Sequence, residues 1–131
     1  MRAEAYMNRR TTMAAMLAAG AATLGIKAFA AAPGKLSDAD YTKLSAAPKN
    51  AADHRTLAKH YRAWADEHEA EAKMLDNLAT IYMKGMPGVT QGHAHELART
   101  VKHAAEHSRD FAEALRDIAD VHDGIAEGPV K

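Results

Sequence analysis

Stepping along the chain by alternating intervals of three and four residues picks out two rows. The first is His54, Leu57, Tyr61, Trp64, His68, Glu71, Leu75, Leu78 and Tyr82; the second is Ala94, Leu97, Val101, Ala104, Ser108, Phe111, Leu115, Ile118 and His122. These rows, mostly apolar, are alternating a and d positions of a heptad abcdefg, the pattern of helices that bury one stripe against a partner. Beside each row runs a ladder of alanines at position e: Ala51, Ala58, Ala65, Ala72 and Ala79, then Ala98, Ala105, Ala112 and Ala119. A methyl group every seventh residue lets two helix axes approach closely. The two stretches also repeat each other at an offset of forty residues, Leu57-Ala58 matching Leu97-Ala98 and Leu75 matching Leu115.

The punctuation agrees with the periodicity. Neither glycine nor proline interrupts Ala51 to Met83, and Asn50 precedes that run as a natural N-cap. Lys84-Gly85-Met86-Pro87-Gly88 reads as a turn, and Thr90 as the second N-cap. The predicted organisation is all-α: a linker over 31–50 with one short helix capped by Ser37, a hairpin over 51–124 built from helices 51–84 and 90–123, and a loose tail over 125–131. Each long helix would span about 45 Å. Folding about Met86 sets Tyr61 by Phe111, Trp64 by Ser108 and Leu75 by Leu97, with Ala58 facing Ala112 and Ala65 facing Ala105. A lone hairpin buries little surface, so the expected assembly is a homodimer forming a four-helix bundle. Packing of the 38–45 helix on the hairpin is the monomeric alternative.

Composition changes the picture at the N-terminus. Arg9-Arg10, the run TTMAAMLAAGAATLGIKAFA and the Ala28-Phe29-Ala30 site describe a signal peptide over residues 1–30. The paired arginines resemble those of twin-arginine signals, with Thr12 departing from the usual large apolar residue. The expected compartment is the periplasm or the exterior, and the remaining chain has no apolar run long enough to span a membrane. Residues 31–131 hold thirteen Lys/Arg against sixteen Asp/Glu and all eight histidines. A net negative charge excludes a nucleic-acid footprint. No cysteine is present, so neither disulfides nor a c-type haem attachment is available.

The histidines are the candidate chemistry. In the folded register Glu67 falls opposite His107, while His103 and His107, and likewise Glu67 and Glu71, stand one turn apart on their own helices. Glu67, His68, Glu71, His103 and His107 are therefore the expected ligand set for a divalent transition metal: zinc, copper, nickel or iron. The opposing reading is a solvated edge of helix-surface pairs. His60, opposite Ala114, is expected on the surface. A second group, Met83, Met86, His93 and His95, lies near the turn and reads either as thioether–imidazole donors or as an ordinary loop. No phosphate-binding loop or nucleophile motif appears, so no enzymatic activity is expected.

Ala51-Ala52-Asp53-His54 followed by Leu57-Ala58 and His60-Tyr61 resembles small exported alanine-rich helical-hairpin proteins of environmental bacteria. That resemblance covers about 51–122 and implies a fold and a compartment, with no assigned activity or site residues. The expected function is a non-enzymatic bundle that binds metal. The alternatives are a structural or interaction protein of the cell envelope, or a chaperone-like module. The histidines on the seam further suggest a bundle that loosens as pH falls through about 6.5.

Overall fold

The computed structural model describes residues 32–129, and the expected signal peptide lies outside them. Three helices follow in order: α1 (Asp38–Ala46), α2 (Ala51–Met83) and α3 (Gln91–Glu127), with no strand among the described residues. The three expected caps are in place. Ser37 accepts from the Asp40 amide, Asn50 from Asp53 and Thr90 from His93, each satisfying one of the free N–H groups of a first turn. α1 stops at Ala46 because Ala47 precedes Pro48, which favours extended backbone before it. Gly85 turns the chain with φ 95° after α2. α3 runs past Gly124, the expected stop, to Gly128, whose φ of 83° ends the helix. A glycine inside a helix costs about 1 kcal/mol, which a helix of this length absorbs.

α2 and α3 pack closely along their length. Their register differs from the expected one by a heptad. Ser108 meets Glu71 rather than Trp64, its Oγ donating to the carboxylate at 3.3 Å. Phe111 sets its edge against His68 and Trp64, with ring centroids 4.7 and 5.5 Å apart, rather than against Tyr61. Carried along the ladder, this register sets Ala58 by Ala119, Ala65 by Ala112, Ala72 by Ala105 and Ala79 by Ala98, and all eight are buried. Ala51, at the open end, is half-buried. A slip of seven residues returns every a, d and e position to an equivalent face, so the apolar pattern alone is satisfied by both registers.

The polar flank separates them at Arg62. Three ion pairs run along the outer b positions: Arg62 with Asp123 at 2.6 Å, Glu69 with Arg116 at 3.0 Å, and Asp76 with Arg109. On α2 the signs read plus, minus, minus; on α3, from residue 109 to 123, they read plus, plus, minus. The antiparallel match is complete in this register. In the expected one Glu69 would face Arg109, Asp76 would face Lys102 and Asp123 would face Arg55, but Arg62 would face Arg116, so the two registers differ in sign match at Arg62.

The close contact is centred on the alanines rather than on the a/d seam. Small side chains permit the shortest approach, so the helices roll toward position e. The d row of α3 is left at the edge: Leu97, Phe111 and Ile118 are each 41% exposed and Ile125 is 52% exposed. α1 packs on α2, with Tyr41 and Leu44 against the core of Leu57, Ala58, Tyr61, Ala65, Ala112, Leu115 and Ala119. No helix among the described residues is long and apolar enough to cross a membrane.

Candidate functional site

The five expected metal ligands occupy four separate places. Glu67 is engaged by the segment before α1: its carboxylate accepts from the Ala32 amide at 3.2 Å and pairs with the Lys35 ammonium. His68 and Glu71 lie together on the seam, His68 Nδ1 standing 3.0 Å from Glu71 Oε2. Glu71 is half-exposed and also accepts from Ser108, so this d-position carboxylate is paired without a cation. His103 faces outward and pairs with Glu106 on its own helix at 3.2 Å. His107 is exposed, and the Glu67 expected opposite it is turned toward Lys35. Among the described residues no group of three or more His, Asp or Glu side chains stands together as a metal site. The donor set does not converge on one ion. At the turn, Met83, Met86 and His95 line one shallow depression, and His93 is not part of it.

His60 departs furthest from expectation. It is 3% exposed, and its Nδ1 accepts the Leu36 amide proton at 2.9 Å. The Tyr41 ring stacks on it at 4.5 Å. Residues 32–46 thus cover a flank of α2 that pairing with α3 leaves open. The anchors are Leu36, Tyr41 and Leu44, none of which belongs to the heptad. Burial, reinforced by the Lys35 charge, holds His60 below the ordinary imidazole range, while Glu67 and Asp38 act in the opposite direction.

Imidazoles and aromatic rings continue along the seam. His54 and His122 bring their Nδ1 atoms to 3.0 Å, and Tyr61 stacks on His122 with ring centroids 5.5 Å apart. The Tyr61 hydroxyl meets that of Tyr41 at 2.9 Å. Burial, then the Tyr41 bond, push its phenol up to about 12, so it stays protonated and cannot act as a base near neutral pH. Every buried side-chain nitrogen and oxygen among the described residues has a hydrogen-bond partner. The interior therefore holds no orphan polar group awaiting a ligand.

The outer side of α3 is a surface left unfinished within the chain. Positions d and g there read Leu97, Thr100, Ala104, His107, Phe111, Ala114, Ile118, Val121 and Ile125, with no Asp, Glu, Lys or Arg over more than seven turns. Val121 is 63% exposed, and the remainder are exposed or half-buried. The register explains why. With the contact centred on e, the d row that the sequence suggests as seam becomes half of a second stripe. Counting the g row together with the d row would have exposed this stripe in the sequence itself. In comparisons with known proteins, no family model, no curated protein and no solved structure matches the chain.

Proposed function

We propose that this chain is an exported, non-enzymatic helical module whose activity is association: the uncharged face of α3 seats a second copy, and the two hairpins form a four-helix bundle. The observation that carries this reading is the continuous d/g stripe from Leu97 to Ile125, free of Asp, Glu, Lys and Arg and substantially exposed. A mainly apolar, uncharged stripe of this kind on an exposed helix face favours burial against another protein surface.

The stripe is also complementary to itself. A two-fold axis placed at Phe111 runs the two α3 helices antiparallel. It sets Leu97 by Ile125 of the partner subunit, Ala104 by Ile118 of the partner subunit and Thr100 by Val121 of the partner subunit. Thr100 and Ala104 then meet larger aliphatic chains, Phe111 meets its own copy on the axis, and the stripe brings no charges together. Each fully buried aliphatic side chain would contribute about 1.5–3 kcal/mol. A self-complementary patch is what a two-fold interface requires.

The reading favours interaction over metal binding by the expected five-residue set, because Glu67, His68–Glu71 and His103 are held apart by partners of their own. Sedimentation velocity of the full-length chain tests it. Wild type sediments as a dimer, and Ile118→Glu sediments as a monomer with its helix signal intact. A monomeric wild type across micromolar concentrations defeats the proposal.

A further inference from the structure

His54 lies near the start of α2 and His122 near the end of α3, and together they bridge the open end of the hairpin. Their Nδ1 atoms are 3.0 Å apart and their ring centroids 5.3 Å apart. Between two neutral imidazoles such an approach is one N–H donating to one lone pair, so one ring carries its proton on Nδ1 and the other on Nε2. Burial and the neighbouring His54 favour the neutral form of His122, against the pull of Asp123.

We propose that His54 and His122 form a two-histidine site for a divalent transition metal ion of the zinc class, which clips α2 to α3. Two nitrogens bound to a tetrahedral zinc at 2.0–2.1 Å lie about 3.3 Å apart. The pair need open by only a few tenths of an ångström. The ion takes the place of the shared proton. The ring protonated at Nδ1 passes to its Nε2–H form by exchange with water, and both rings coordinate as neutral ligands.

The surroundings hold the pair in position without competing for the ion. The Tyr61 ring lies nearly parallel to that of His122, 14° between planes, and fixes its orientation. Asp123 is drawn to Arg62 at 2.6 Å. Asp53 accepts from the Lys49 amide at 2.8 Å. The chain thus supplies two ligands, and the remaining positions fall to water or a small anion. Two imidazoles select zinc, nickel or copper(II) over magnesium or calcium.

The test is calorimetric titration of zinc chloride into the untagged full-length chain, beside His54→Gln, His122→Gln and a His103→Gln/His107→Gln control. Wild type and control bind one zinc per chain and unfold at a higher temperature with zinc present. Each single variant binds about a hundredfold more weakly, because the second ligand no longer comes at high effective concentration. Zinc bound equally well by either variant overturns the site, as does a folded wild type that binds none. The imidazole ¹⁵N resonances of wild type give a reading that needs no variant: zinc moves the Nδ1 signals of His54 and His122, and unmoved Nδ1 signals overturn the proposal. Ile118→Glu keeps its zinc binding, so the clip and the association face fail independently.

Discussion

The two flanks of α3 are built by opposite rules. Along position b, Arg109, Arg116 and Asp123 each find an opposite charge on α2. Along positions d and g, nine consecutive sites carry no Asp, Glu, Lys or Arg, and they are exposed or half-buried. One flank is completed within the chain and the other is not. The alanine ladder between them forces the division: by drawing the contact onto position e it brings b within ion-pairing reach of α2 and turns d away.

That contrast can be broken most strongly at Ile118. A glutamate there should weaken association about a hundredfold or more, since it puts a charge where each copy would bury an aliphatic chain. Urea unfolding of that variant at low concentration, where chains are already separate, should change little. The reverse experiment swaps the effects. Ala112→Leu forces a larger side chain into a fully buried site opposite Ala65 and should cost about 1–3 kcal/mol in urea unfolding. Ala114→Leu, two residues on and exposed in the single chain, should stay within about 0.5 kcal/mol when unfolding is followed at concentrations where chains are separate. Equal losses at 112 and 114 would contradict the placement of the helix contact.

A third intervention acts on α2. The folded-state pKa of His60 lies below its unfolded value, so the docked segment binds fewer protons than the free one. Its contribution is fully present above about pH 6.5 and declines as pH falls below that value toward the depressed folded pKa. Protonation at Nδ1 removes the acceptor for the Leu36 amide and places a cation near Lys35. The fluorescence of Trp64, which Tyr41 meets edge-on, should therefore report release of residues 32–46 between pH 7 and 5 while the long helices persist. Replacing His60 by Gln should remove that pH dependence; a transition unchanged in the variant would assign it to another group. The smallest effect belongs to the charged flank. Arg116→Glu should cost about half a kcal/mol, as exposed pairs do, with recovery on adding Glu69→Arg.

The sequence carries the helices, their caps and the alanine ladder in plain form, because caps and heptads are local signals. It carries the register less openly. Apolar heptads are degenerate under a seven-residue slip, and on the charged flank it is Arg62, facing Asp123 in one register and Arg116 in the other, that lifts the degeneracy. His60 is misplaced by reasoning from α2 and α3 alone, because Leu36, Tyr41 and Leu44 bury it from outside the heptad. The expected ligands stand apart for a related reason. Glu67 does stand on the expected helix, but Lys35 and the Ala32 amide, from a segment without periodicity, hold its carboxylate. Where a contact depends on irregular chain, the sequence pattern offers no interval to count.

The alanine ladder has a mechanical consequence. A surface that repeats every seven residues without protrusions is a smooth track, and two such tracks can slide. The charged pairs are the detents of this ratchet, and Arg62 is the one that holds: one step of slippage re-pairs Glu69 with Arg109, Asp76 with Lys102 and Asp123 with Arg55, but sets Arg62 against Arg116. Neutralising Arg62 and Arg116 together would file the detents down. Some molecules would then come to rest a notch out of step, with unchanged circular dichroism but an altered spread of distances between spin labels at positions 55 and 121.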